Sequence, residues 1–229
     1  MKICALSDLH GTLLPVEDYF EPCELVCICG DIVPLNIQTN NKKTMKWLVN
    51  KFKPWCESLP CDKVIFIAGN HDFGFSNLDF MYTLFPKDKK VTYLFHENYI
   101  YTSKSGKEYS IFGTPYCKLF GNWAYMESDS VLDNLFKDIP ENLDILLTHD
   151  QPYGWGDILL DDVIWNTGDH IGNKPLTKAV MQKQPKYMFT AHLHSTTHEC
   201  VEIGTTKRYN VSIKNEKYDP VYNPLIINI

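Results

Sequence analysis

The sequence predicts an α/β fold whose buried strands carry reactive loops at their carboxyl ends. Two observations predict it. First, three early apolar runs each end at a polar cluster: Ile3 to Leu6 at Ser7-Asp8-Leu9-His10, Leu25 to Ile28 at Gly30-Asp31, and Val64 to Ala68 at Gly69-Asn70-His71-Asp72. Short apolar runs bounded by Gly and Asp are the pattern of strands buried on both faces. Second, Lys42 to Lys53 carries Met45, Leu48, Val49 and Phe52 at helical spacing, with Pro54 expected to stop it. The order is therefore strand, crossover helix, strand, and the working groups of such sheets sit on loops along one rim.

The middle of the chain changes character. Val91 to Leu94, Tyr99 to Thr102 and Tyr109 to Phe112, with Ser105-Gly106-Lys107 as a turn signal, read as the shorter strands of a meander or hairpin. A Ser-capped helix is expected from Ser130 to Lys137, then a strand from Ile145 to Leu147 ending at Thr148-His149-Asp150. Gln151 to Asn173 has neither period and is rich in Gly, Asp, Trp and Pro; a loop of that length inside a compact fold is usually functional. A helix from Pro175 to about Lys183 precedes a buried strand, Tyr187 to Thr190, ending at Ala191-His192-Leu193-His194. Strands at Glu199 to Ile203, Lys207 to Val211 and Leu225 to Ile229 complete the pattern. With no repeat, low-complexity tract or linker, residues 1–229 are expected to form one domain.

Composition narrows the function. The 229 residues are 44% apolar, enough for a substantial core, and carry a formal charge of −6. An acidic chain is poorly suited to displacing counterions from a nucleic-acid backbone. Arg208 is the only arginine, so bidentate arginine clamps on phosphate are nearly unavailable. No apolar run is long enough to span a membrane, and a lone Lys2 before a short run is no secretory leader, so the expected location is cytoplasmic. Of the eight cysteines, Cys4, Cys27 and Cys29 fall in strand runs and read as core residues. The Cys56 to Cys61 spacing has no partner pair for structural zinc.

Five strand ends thus present Asp8 and His10, Asp31, Asn70 and His71, His149, and His192 and His194. Each alone is an ordinary turn or surface feature; together they suit metal chemistry. Two divalent metals about 3.5 to 4 Å apart need a bridging ligand, and a carboxylate with two oxygens can bridge. Asp31 is the natural candidate. A mixed imidazole, carboxylate and amide set without thiolate suits manganese first, with iron or zinc as alternatives.

The order Asp-x-His, Gly-Asp, Gly-Asn-His-Asp, His and His-x-His, running from Asp8 to His194, resembles the calcineurin-like metallophosphoesterase superfamily. Finer features resemble its small brain-type metallophosphodiesterase branch. These are Gly113-Thr114-Pro115-Tyr116, Pro152, Gly156-Asp157, His170-Ile171-Gly172, Leu176 and Tyr218-Asp219-Pro220-Val221. The resemblance implies a four-layer αββα fold: a central β-sandwich of two mixed sheets flanked by helices, with a dimetal site at strand ends. It implies one metal on Asp8, His10, Asp31 and His194, and another on Asp31, Asn70, His149 and His192. His71 is implied as general acid or charge stabiliser, with Asp72 orienting it. The implied reaction is hydrolysis of a small phosphate ester, nucleotides among the candidates, by in-line attack of a metal-bridging hydroxide. Two departures stand out: Ala191 replaces a Gly before His-x-His, and Asp150 replaces a Gly after His149.

Around the expected metals, Tyr116, Trp123, Tyr153, Trp155 and Trp165 offer rings for stacking, and His170 lies in the long loop. Tyr116, Trp155 and His170 are taken as candidate substrate contacts. His96 reads as a strand-end cap and His198 as a supporting residue at most. Two alternatives stay open at this point: a nuclease, and a non-catalytic binding module of the same fold. The second should show broken ligands, and none is broken here.

Overall fold

The computed structural model describes residues 1–160 and 168–229. Trp165 lies outside the described residues. In the first sheet, β1 (Lys2–Leu6), β2 (Cys23–Cys29), β3 (Cys61–Ile67) and β4 (Val91–Tyr93) run parallel in that order. The last strand of the chain closes its edge antiparallel to β1. The second sheet opens with an antiparallel hairpin, β5 (Glu97–Thr102) and β6 (Glu108–Thr114). After a small ladder of β7 (Cys117–Lys118) with β8 (Met126–Glu127), β9 (Ile145–Thr148) and β10 (Tyr187–Thr190) add parallel to β6. The antiparallel pair β11 (Val201–Ile203) and β12 (Thr206–Asn210) follows, and β13 (Leu225–Asn228) returns to β1.

Strand alternation builds the layers. Ile3, Ala5, Cys27, Ile65 and Ile67 of the first sheet face Ile111, Ile145, Leu147 and Phe189 of the second. The intervening residues Cys4, Leu6, Val26, Ile28, Val64 and Phe66 point the other way. They meet helices after β2 and β3: α2 (Asn41–Trp47), α3 (Lys53–Ser58) and α4 (Leu78–Leu84), α1 (Val16–Tyr19) being a single turn after β1. On the far face of the second sheet, Phe112, Leu146 and Met188 pack on α5 (Asp129–Leu135) and α6 (Lys174–Lys183) through Leu132, Leu176 and Val180. The result is the expected four layers, with both sheets mixed. The carboxyl ends of β1, β2, β3, β9 and β10 share one rim.

Three local expectations are corrected. Pro54 does not stop the crossover helix; Leu48–Phe52 widens into a π-type turn, with the Lys53 N–H donating to the Leu48 carbonyl, and the chain continues through α3. The wider turn bypasses the bond proline cannot make, and burial of Phe52, Trp55 and Cys56 holds it there. Val91–Tyr93 joins β3 in the first sheet instead of forming a meander with β5 and β6. Helix α5 starts at Asp129, one residue before the expected Ser130, and the hydroxyl of the preceding Ser128 pairs with that of Ser130 instead of capping a backbone N–H. The eight cysteines are free, and Cys4, Cys27 and Cys29 are buried in the core as expected.

The single arginine is fully buried, so it is removed from any role on a phosphate. From β12, Arg208 Nε donates to Thr190 Oγ1 at 2.9 Å, Nη1 donates to the Thr197 carbonyl at 3.3 Å, and Nη2 donates to Gln151 Oε1. Gln151 Nε2 in turn donates to the carbonyls of Ala191 and Leu193 at 2.9 and 3.0 Å. Asn210 Nδ2 donates to the same Leu193 carbonyl at 2.9 Å. One cation thus ties the loop after β9 to the loop that carries His192 and His194. Arg208→Met removes the charged donor from both oxygens, leaving Gln151 Oε1 only the Thr196 hydroxyl and Thr190 Oγ1 only its bond to the Tyr209 carbonyl, and should cost about 3 kcal/mol. A calorimetric scan should show the melting temperature falling by roughly 6 to 12 °C; a drop under about 2 °C refutes the keystone role.

Candidate metal centre

The rim loops are bonded to one another before any side chain is considered. The ladder between β1 and β2 runs on past the strands: Asp8 N donates to Gly30 O at 3.1 Å, His10 N to Asp31 O at 2.8 Å, and Gly11 N to Ile32 O at 2.9 Å. The loops after β2 and β3 approach so closely that a Cβ on Gly69 would lie 2.3 Å from Asp31 Oδ1. Gly30, at φ +97°, faces the Gly69 nitrogen with equally little room. Only glycine fits at these two positions, which accounts for the Gly-Asp and Gly-Asn-His spellings. The turns aim side chains inward at a conformational cost: Asp8, His10, Asp31 and His192 have φ of 56°, 42°, 51° and 69°. Left-handed backbone at four non-glycine residues costs of order 1 to 3 kcal/mol each and concentrates at working sites.

Asp31 is the centre of the constellation. Its Oδ1 accepts the His71 backbone N–H at 2.8 Å, which turns Oδ2 toward three imidazoles. The Nε2 atoms of His149, His10 and His71 lie 3.4, 3.6 and 3.8 Å from Oδ2. His149 Nδ1–H donates to the Cys29 carbonyl at 2.7 Å, leaving Nε2 3.0 Å from Asn70 Oδ1. Its ring lies 5.2 Å from that of His192. Asp31, Asn70, His149 and His192 therefore form one contiguous group, joined through Asp31 to a second.

The second group is Asp8, His10 and His194, whose ligand atoms lie within 4.8 Å of one another. His194 Nδ1–H donates to the Asn215 carbonyl at 2.9 Å, so Nε2 faces Asp8 Oδ1 at 3.5 Å. Backbone carbonyls that hold one ring nitrogen and free the other are how metal-binding histidines are oriented. Both Asp8 carboxylate oxygens and both His10 ring nitrogens are buried without a hydrogen-bond partner among the described residues. A buried carboxylate and imidazole left unsatisfied are costly. A cation satisfies both, so the residues fit divalent metal on their own chemistry.

The electrostatics agree. Burial raises the Asp8 carboxyl, but the His194 ring beside it wins and holds it at about 2. Asp31 is likewise held well below the carboxylate range, against burial, by His149 and its neighbours. Burial would lower His149 and His194, yet Asp31 and Asp8 raise them to about 10 and about 9. His10 and His192, less closely paired, are pushed down to about 4, chiefly by burial. The pocket thus demands positive charge at the two carboxylates and keeps the remaining imidazoles neutral, ready to donate lone pairs.

All seven candidate ligands meet in this cluster, and His71 borders it. Asp72 does not orient His71 as expected. Its carboxylate accepts the backbone N–H groups of Ile32, Val33 and Gly69 at 2.9 to 3.2 Å, stapling the loop after β2 to the loop after β3. His71 Nδ1 meets Gln38 Oε1 at 2.6 Å instead, and burial lowers the ring's pKa despite Asp31. The two departures at the motifs are accommodated. Ala191 keeps a φ that is not positive, so its methyl adds no strain. Asp150 accepts the Lys118 N–H at 2.7 Å and Asn173 Nδ2 at 2.9 Å, fixing β7 and the start of α6.

Of the candidate substrate contacts, Tyr116 packs on Phe95 and His96, Trp155 joins the apolar cluster beneath α5 and α6, and His170 Nδ1 pairs with Asp157 Oδ1 at 2.6 Å. His96 Nδ1 meets Thr114 Oγ1 at 3.0 Å, and His198 Nε2–H donates to the His194 carbonyl at 3.0 Å. The rings that touch the site histidines are others. Trp123 lies over His71 at 4.4 Å, Phe120 over His192 at 5.4 Å, and Tyr218 against His10 and His194 at 4.8 and 5.3 Å. Phe120 and Trp123 sit on the loop between β7 and β8, which is pinned by the Ala124 N–H donating to the Asn70 carbonyl at 3.0 Å. Phe120 and Gln38 carry no local sequence signal for these contacts, whereas Tyr218 opens the Tyr218-Asp219-Pro220-Val221 run noted in the sequence.

A family model described as calcineurin-like phosphoesterase matches residues 1–196. Metallophosphoesterase domain-containing protein 1 of Homo sapiens is 27% identical over 247 residues, covering 100% of this chain and 71% of that protein. A UPF0046 protein of Caenorhabditis elegans is 27% identical over 241 residues, covering 100% of this chain and 81% of its own length. The crystal structure of TT1561 of Thermus thermophilus shares the fold at a TM-score of 0.57 and 12% identity, over 91% of this chain and 87% of that one. With the family model spanning all five strand-end motifs, the chain belongs to the calcineurin-like phosphoesterase family.

Proposed function

We propose that residues 1–229 act as one dimetal-dependent phosphoesterase domain that hydrolyses small, nucleotide-like phosphate esters. The observation that carries this reading is the clustering of His10, His149 and His194 on the buried carboxylates Asp8 and Asp31, with Asn70 and His192 against His149 and the Asp8 and His10 atoms lacking any hydrogen-bond partner among the described residues. Asp8, His10, Asp31 and His194 would hold one divalent ion and Asp31, Asn70, His149 and His192 the other, manganese being the best match to this donor set. When bound, such a pair activates water near neutral pH and neutralises phosphate oxygens.

The chain's own residues supply the rest. Asp31, with three imidazole nitrogens within 3.8 Å of its Oδ2, would belong to both ligand groups. His71 Nε2, 3.8 Å from Asp31 Oδ2, would stabilise or protonate the departing oxygen. With Arg208 buried, no arginine clamp is available for phosphate, and the positive charge would come from bound metal. Phe120, Trp123 and Tyr218 stay 59%, 37% and 38% exposed while packing on site histidines, which suits a flat substituent on the ester.

Purified protein given manganese should hydrolyse bis-p-nitrophenyl phosphate; a chelator should abolish turnover and manganese restore it. Asn70→Ala and His149→Ala should each lower kcat/KM at least about 100-fold. Equal residual rates in wild type and both variants would sink the proposal. At manganese about 100 times its Kd, unfolding free energy should rise by about 2.7 kcal/mol, read by thermal denaturation, with no rise in Asp31→Asn. Replacing both Phe120 and Trp123 by Ala should raise KM for aryl esters about tenfold or more, with a smaller change in kcat. A KM left in place shows that the rings serve only packing.

A further inference from the structure

We propose that Gln38 is the positioning residue for His71, resting on the phosphoesterase reading above. Gln38 lies in the loop between β2 and α2, outside every motif, yet its Oε1 meets His71 Nδ1 at 2.6 Å, a short neutral hydrogen bond. A carbonyl oxygen only accepts, so Nδ1 carries the proton in this bond. That choice settles the ring. With Nδ1–H committed to Gln38, the atom left facing the centre is Nε2, 3.8 Å from Asp31 Oδ2.

The remaining contacts make the orientation specific. The Trp123 ring covers one side of the imidazole at 4.4 Å, and His10 meets it edge-on at 5.0 Å. Neither ring offers a hydrogen bond to Nδ1. Asp72, the adjacent carboxylate, is engaged by three backbone N–H groups and does not reach the ring. Gln38 is thus the polar contact that fixes which nitrogen points inward and at what angle.

In the step this serves, Nε2 first takes a proton from solvent, and that Nε2–H bond then breaks as an O–H bond forms on the departing oxygen. The N–H electron pair stays on Nε2, and the neutral ring that remains is the Nδ1–H tautomer that Gln38 already holds. A neutral amide partner keeps the same bond before and after proton transfer, so the ring need not turn between turnovers.

The test is a series of methyl aryl phosphates running from a p-nitrophenyl to a p-methylphenyl leaving group, assayed with manganese. The p-nitrophenolate ion needs little proton assistance, whereas the more basic p-methylphenolate needs it most. Gln38→Met, nearly the same size but unable to accept the bond, should lower kcat less than about 3-fold on the first ester and about 30-fold on the last, with KM little changed. Gln38→Glu, which can accept from Nδ1, should restore most of the loss. A uniform loss across the series, a change in KM alone, or no loss overturns the assignment. Wild-type protein inert on every ester overturns the phosphoesterase reading instead. In that event the ring remains readable: nitrogen-15 NMR of zinc-loaded protein should place the neutral ring's proton on Nδ1 in wild type and lose that preference in Gln38→Met. A wild-type proton on Nε2 overturns the positioning role whatever the turnover.

Discussion

The buried Asp31 carboxylate is the constraint from which the rest of this architecture follows. A carboxylate in the interior is tolerated only where its charge is met, and Asp31 meets it with imidazoles from three separate loops. To bring those rings to one oxygen, the carboxyl ends of β1, β2, β3 and β9 must lie on the same rim. The parallel order of the first sheet and the face-to-face packing of the two sheets achieve that. The glycines at 30 and 69 then let the backbones approach within a side chain's thickness of each other.

A site built this way stores cost and must be held. Four of its residues sit in left-handed backbone, and two of its carboxylates are buried. The holding is done by groups with no chemistry of their own. Asp72 staples the loop after β2 to the loop after β3, and Asp150 fixes β7 and α6. Arg208, through Gln151, anchors the loop of His192 and His194. Asn215 both accepts from His194 and, through its side chain, orders the turn that presents Tyr218. Losing a staple therefore loosens several ligands together.

Charge distribution separates the centre from its rim. Inside, two carboxylates require cations and the unpaired histidines remain neutral. Outside, the exposed groups against those histidines are aromatic, without an arginine. In the proposed reading, anion affinity would come from bound metal and selectivity from the rings.

Much of this was legible in one dimension because the information is local. Buried parallel strands leave short apolar runs, and each ends where its backbone turns toward the rim, so Asp8, Asp31, Asn70, His149 and His194 could be named from strand-end spelling alone. The layer order followed from the family resemblance those motifs carry. Other features exist only in three dimensions. Nothing at Pro54 announces a π-type turn, because the burial of Phe52 and Trp55 that sustains it is tertiary. Gln38 is separated from His71 by 33 positions, and the carboxylate next to His71 in sequence turns away to backbone amides. The sole arginine read as an absence on the surface, whereas folding made it an interior keystone. Sequence by itself determined which chemical groups the rim carries, since strand termini and residue types are local properties. Tertiary structure decided which of them touch, because contact depends on loops that meet only after the sheets have packed.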